Sequence, residues 1–111
     1  MSLATLFVTF PSAEDAERAA EAALAQRLAA CVNILAPCRS RFRWRGRLEE
    51  AAEVPALFKT EARLLARLAE AIRAVHPYET PAIIAWPAVF ATAETGAWVA
   101  AETEAETAGD A

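Results

Sequence analysis

The sequence predicts an α+β fold: a ferredoxin-like βαββαβ sandwich, with two helices on one face of an antiparallel sheet and a short C-terminal helix. Three observations predict it. Apolar, β-branched and aromatic runs recur at 3–10, 32–35, 39–44, 47–60 and 82–90. Two intervening stretches, 13–30 and 61–75, carry apolar residues at helical spacing. The resulting order, β-α-β-β-α-β plus a trailing helix, fits within 111 residues.

Each element follows from local chemistry. Residues 3–10 (LATLFVTF) read as a buried strand that stops at Pro11. Ser12, with Asp15 three residues on, is an N-cap and an approximate capping box. The helix runs from there to about Ala30, with Ala20, Ala23, Leu24, Leu28 and Cys31 on its packing face and Glu14–Arg18 as an exposed i,i+4 pair. Alanines on that face permit close approach to a sheet. Residues 32–35 (VNIL) begin a second strand, interrupted around Pro37, and strict alternation resumes over 39–44. Gly46 marks a hairpin turn, and 47–60 returns as a third strand in which Pro55, unable to donate, signals an edge position or a bulge. Leu64, Leu65, Leu68, Ile72 and Val75 share one face of the second helix, which ends where Pro77 forces His76 out of the α region. Residues 82–90 form a fourth strand bent at Pro87, and Ala93 to about Ala105 a final helix carrying Trp98.

Composition sets limits on function. The net charge is −4, but residues 102–111 (ETEAETAGDA) hold four acids and no base, so 1–101 is nearly neutral. That balance argues against a general polyanion binder. Residues 1–101 are read as one domain, and 102–111 as an acidic tail that is frayed or disordered. The N-terminal run is too short and uncharged for a signal peptide, and no stretch approaches the roughly 20 apolar residues of a membrane span. Two cysteines, Cys31 and Cys38, are too few for a disulfide scaffold, and the expected compartment is the cytoplasm. A single histidine, His76, excludes any site that needs two from one chain.

Two segments invite a functional reading. In CRSRFRWRGR (38–47) arginine occupies 39, 41, 43, 45 and 47. Alternation puts Arg39, Arg41 and Arg43 on one face and Ser40, Phe42 and Trp44 on the other, so no single surface offers both charge and stacking to a nucleic acid. Glu49, Glu50 and Glu53 on the returning strand are placed to neutralise the guanidinium groups. The stripe reads as a solvated hairpin face, and no nucleic-acid partner is expected. In HPYETP (76–81) two prolines stiffen a helix-to-strand loop that carries an imidazole, a phenol and a carboxylate. Such a loop presents either metal ligands or a His76/Glu79 acid–base pair. Alternatively His76 simply caps the helix. No triad, phosphate-cradling glycine loop or H-E-x-x-H motif is present, so an enzyme is not expected.

Taken together, FVTFPSAEDAERAA, RLAACVNIL, SRFRWRGRLEE, EVPALFKT and HPYETPAIIAWP resemble the CutA1 family of divalent-ion tolerance proteins over nearly all of residues 5–100. The resemblance implies a compact homotrimer joined through sheet edges, kinship with trimeric PII signal proteins, and a role in tolerance of divalent metals such as copper. It implies no catalytic reaction and no required cofactor. Cys31, Val32, Asn33, Trp44, Gly46, Lys59, His76, Pro77, Tyr78 and Pro81 match family positions. Phe42 replaces a common tyrosine, Ala82 a glutamate, and Pro55 enters a strand normally free of proline. Val8 and Val75 stand where copper-binding members place a cysteine and a second histidine. The remaining ligand candidates for copper or zinc are His76 with Cys31, Glu79 or groups from a neighbouring chain. Lys59, His76, Tyr78 and Glu79 are expected to form a polar cleft, with Trp44 from an adjacent chain. The alternative reading is a PII-like regulatory module for a small anionic ligand or a protein partner.

Overall fold

The structure, a computed structural model, describes residues 2–105. Strand β1 spans Leu3–Phe10 and helix α1 Ala13–Ala25. Strands β2 (Cys31–Ile34), β3 (Cys38–Trp44) and β4 (Arg47–Glu61) follow. A 3₁₀ turn at Ala62–Leu64 leads into α2 (Leu65–Val75), then β5 (Ile83–Pro87) and α3 (Ala93–Glu102). The sheet order is β2-β4-β1-β5, antiparallel at every pairing, with β3 on the N-terminal half of β4. This is the ferredoxin-like order that the sequence predicts, with the second strand split in two.

One sheet face carries the core. Leu6, Val8 and Phe10 of β1 and Val54, Ala56 and Phe58 of β4 pack against Ala16, Ala19 and Ala23 of α1 and Leu68 and Ile72 of α2. The small α1 face lets that helix lie close to the sheet, as the alanine pattern implies. Ser12 caps α1, accepting the Asp15 amide at 3.1 Å and donating its hydroxyl to the Asp15 carboxylate at 2.7 Å.

Several expectations are corrected. Helix α1 stops at Ala25, not near Ala30, because Arg27 takes a left-handed conformation at φ 56. The Arg27 amide then bonds the Leu24 carbonyl and the Leu28 amide the Ala23 carbonyl. That pair of bonds is a Schellman stop without its usual glycine. Leu28 still reaches the core, but Cys31 begins β2 instead of lying on a helix. The Arg18 guanidinium meets Asp15 at 3.0 Å, three residues away, in place of the expected Glu14 pairing. Strand β5 is shorter than 82–90 and ends at Pro87.

Pro55 lies neither on an edge strand nor in a bulge. It pairs with Thr9 inside the long central β4, opposite the break between β2 and β3. The Pro55 carbonyl accepts the Leu35 amide at 2.9 Å on that side. The missing N–H therefore faces a gap in the ladder, where it costs nothing.

The segment expected to be a tail from 102 onward is held at its start. Glu102 closes α3, Thr103 is buried, and the Glu104 amide donates to the Arg27 carbonyl at 2.7 Å. Residues 106–111 of that expected tail lie outside the described residues.

Candidate functional site

Both α1 and α2 pack on the sheet face of Leu6, Val8 and Phe10, which leaves the opposite face without either of them. Phe7 of β1 stands in register with Leu57 of β4 and Ile84 of β5, and Thr5 with Trp86 and Lys59. Phe7 and Trp86 stack with centroids 6.3 Å apart. Ile84 is 62% and Trp86 46% exposed. A run such as LATLFVTF reads as buried on both faces, yet within one chain only its even positions are covered.

The hairpin of β3 and the first half of β4 projects past the end of β1, whose last pairing is Phe10 with Val54. Its two-residue turn, Arg45–Gly46, has both φ values positive (51° and 80°), the geometry that suits the twist of a tight hairpin. Between this hairpin and the loop after α2 lies an open groove of about 930 Å³. Phe42, Trp44, Glu53, Tyr78, Glu79 and Thr80 contribute to its walls, as do Arg39, Arg41 and Arg43.

The loop is pinned by His76. Pro77 holds the residue extended (φ −78°, ψ 133°), which ends α2 as the sequence predicts. Its ring stacks on Phe10 with centroids 4.7 Å apart. Nε2 lies 2.8 Å from the Thr9 carbonyl, and Nδ1 accepts the Tyr78 amide at 3.1 Å. A carbonyl only accepts and an amide only donates, so the proton sits on Nε2 and both nitrogens are engaged. The Tyr78 hydroxyl donates to Glu53 at 2.9 Å. Burial, that hydrogen bond, and the negative charges of Glu53 and Asp15 push the Tyr78 pKa up from 10.0 to about 12.

This shift yields a direct prediction, because Tyr78 is the only tyrosine. Phenolate absorbance titration is expected to show one midpoint near 12, moving towards 10.0 in Glu53→Gln. A midpoint near 10.0 in the unaltered protein contradicts the Tyr78–Glu53 contact. The sign for stability follows. Tyr78 stabilises the fold fully below its unfolded pKa of 10.0, and the contribution is lost as pH rises towards 12.

The sequence-derived site residues are only partly brought together. Tyr78, Glu79 and Trp44 of one chain line the groove. Lys59 does not, since it pairs with Thr5 and Cys31, six residues along β4 from Glu53, or about 20 Å. Cys31 shares that distant row, four residues along β1 from the Thr9 carbonyl that holds His76, about 13 Å. His76, Cys31 and Glu79 therefore form no common ligand set within one chain. Among the described residues no three His, Cys, Asp or Glu side chains cluster as a metal site. The His76 nitrogens face Thr9 and Tyr78, so no His76/Glu79 acid–base pair is assembled either.

Among the described residues the arginine stripe meets one carboxylate, Glu50. Glu50 meets Arg39 at 2.8 Å and Arg41 at 3.8 Å, while Arg45 lies over the Trp44 ring at 5.4 Å. Glu49 pairs across from Phe42 and so points to the opposite face, and Glu53 is committed to Tyr78. Among the described residues Arg43 and Arg47 meet no carboxylate. Glu53 is the site residue that sequence reasoning assigned elsewhere, to the arginines. An acid directly before the buried run VPALF was its signal, since a carboxylate at such a position needs a donor.

Comparison with known proteins agrees with this fold. The sequence profile of the CutA1 divalent ion tolerance protein family matches residues 4–102. Mouse protein CutA is 42% identical over 78% of this chain, and the divalent-cation tolerance protein CutA of Thermus thermophilus 38% identical over 88%. The chain spans 49% of the mouse protein's length and 95% of the Thermus protein's. Among solved structures, the Thermus protein superposes with a TM-score of 0.89 at 36% identity, covering 92% of this chain and 99% of that one. The protein from Archaeoglobus fulgidus, described as a periplasmic divalent cation tolerance protein, superposes at 0.88 with 37% identity and the same coverage.

Proposed function

The chain belongs to the CutA1 family of divalent ion tolerance proteins, and from that premise we propose a trimeric, non-catalytic protein that acts in tolerance of divalent metal, copper or zinc. The observation that carries the assembly half is the uncovered sheet face of Phe7, Leu57, Ile84 and Trp86. A contiguous apolar face of this kind marks a protein interface. Trp44, Trp86 and Trp98 are each about half exposed, which suits aromatic contacts between chains. The cytoplasm is the compartment of this reading. Cys31 and Cys38 are both free, and they pair with β4 residues six positions apart, too far for a bridge.

Metal contact in this reading is weak and falls to Glu79, which lines the groove, in place of His76 and Cys31. A hard carboxylate alone supports no tight copper or zinc site, so further ligands come from a neighbouring chain or from the partner that receives the ion. Light scattering is expected to give three times the chain mass of 11.9 kDa, and Ile84→Glu with Trp86→Glu to return a single chain. Calorimetric titration of Cu²⁺ and Zn²⁺ into the trimer should give a heat that Glu79→Gln reduces. Equal heats in both proteins remove Glu79 from the site, and a monomeric wild type removes the assembly.

The arginines favour a second reading, a PII-like module that holds a small anion in the groove. Only Glu50 balances Arg39 and Arg41 there, and Arg43 is left to a ligand among the described residues. Thermal stabilisation by a small polyanion that vanishes on Arg43→Ala supports this reading.

A further inference from the structure

The loop after α2 is tethered by few bonds. Among the described residues, the backbone of 77–80 makes one hydrogen bond, from the Tyr78 amide to Nδ1 of His76 at 3.1 Å. Its side-chain tether is the Tyr78 hydroxyl, which donates to Glu53 at 2.9 Å. His76 is itself anchored through Nε2 to the Thr9 carbonyl at 2.8 Å and by its stack on Phe10, and it is only 8% exposed. The loop therefore hangs on a nitrogen that accepts only while the ring is neutral.

Protonation turns that acceptor into a donor. An imidazolium carries N–H on both nitrogens, so Nδ1–H faces the Tyr78 N–H, and turning the ring over leaves the same conflict. Strand β1, on which the ring lies, has no charged side chain over Leu3–Phe10. Charged groups approach from the other elements. Asp15 of the first turn of α1 and Glu53 of β4 both act on Tyr78, and Glu79 belongs to the loop itself. Arg73, in the last turn of α2, is paired with Glu70, and Arg39, Arg41 and Arg43 line the groove from β3. Among the described residues none of these accepts from either ring nitrogen, so a proton added at Nδ1 finds no acceptor in place.

We propose that His76 is an acid-operated latch on the groove wall. The neutral ring holds the Tyr78 loop against β1. A proton taken from solvent at Nδ1 breaks the bond to the Tyr78 amide and frees Tyr78, Glu79 and Thr80, which line the groove. The consequence for a bound ion rests on the groove reading given above, whereas the latch itself rests only on the contacts of the imidazole.

The test uses the full chain, in which His76 is the only histidine, so its imidazole nitrogen resonances are identified without ambiguity. Between about pH 8 and about pH 5, the range in which histidine changes charge, Nδ1 should pass from acceptor to N–H. Hydrogen-exchange protection of the Tyr78 amide, corrected for the intrinsic rate, should fall about tenfold with the same midpoint, the ratio that one ordinary hydrogen bond supports. Amides of the central strand β4 should keep their protection. His76→Phe, which retains the stack, should show the acid-form protection at Tyr78 at every pH. A ring that stays neutral throughout the range overturns the latch, as does a Tyr78 transition with a different midpoint. A transition that persists in His76→Phe belongs to another group and overturns it too, and protection lost across β4 as well means unfolding, not release of a loop. The wild-type comparison stands even if the variant fails to fold. If the loop titrates but Zn²⁺ gives no heat at either end of the range, the latch stands and the metal reading fails.

Discussion

Phe58→Ala is expected to destabilise the protein by about 3–5 kcal/mol, the largest effect of any single truncation considered. Phe58 is fully buried in the central strand β4, in register with Leu6 of β1 and Val32 of β2. Its ring is part of the core cluster that includes both helices. The close packing of α1 through alanines offers no long side chain from that helix to refill the vacated space, so much of the cavity persists. Domains of this size hold about 5–15 kcal/mol in total, so the loss takes a large share. Urea unfolding at fixed chain concentration should show a lower midpoint with an unchanged slope. Leu48→Ala is the control, since Leu48 is 71% exposed. Its effect should stay within about 0.5 kcal/mol. Similar losses for the two variants would mean that the strand register is wrong.

His76→Ala comes second, at about 2–4 kcal/mol, and this effect belongs to a residue the sequence offers as a metal ligand. Truncation removes the stack on Phe10 and leaves the Thr9 carbonyl and the Tyr78 amide without their imidazole partner. His76→Phe retains the stack and loses only the two polar contacts, so its cost should fall between wild type and alanine. The loop that carries Tyr78 should loosen in both variants. Tyrosine absorbance reads this independently, because the phenol pKa should drop from about 12 towards 10.0 as the Glu53 contact weakens. A fully stable His76→Ala protein with the wild-type phenol titration would show that the imidazole does not hold the loop.

The two corrected boundaries share a cause. Helix α1 appears longer in sequence because its apolar spacing continues through Leu28 to Cys31, and no glycine announces the stop. Arg27 adopts the left-handed turn where residues 101–104, more than seventy positions away, satisfy its side chain and carbonyl. Pro55 looks like an edge marker because its missing donor is a local property. Whether that donor is needed depends on the neighbouring strand, which breaks at that position. Long-range pairing decided both.

The candidate site divides in the same way. The tight turn at Gly46, the end of α2 before Pro77 and the clustering of chemistry in HPYETP are legible because backbone torsions and short spacing fix them. Tyr78 and Glu79 were identified as cleft residues for that reason. Their true neighbour Glu53 was assigned to the arginines, since hairpin alternation says nothing about a loop that folds back from residue 78. Lys59 and Cys31 were grouped with them by resemblance. The sheet register sets them in a different row on β4.

The sequence by itself determined the order of strands and helices, the apolar periodicities that put two helices on one sheet face, and the motifs that mark the family. These depend on residue type and local spacing. Only the tertiary structure decided which polar groups meet. It gave Glu53 to Tyr78, spent both His76 nitrogens on Thr9 and Tyr78, and gathered three arginines around Glu104. Hydrogen bonds act over about 3 Å, and the packing of strands, helices and loops together sets which distant residues come that close.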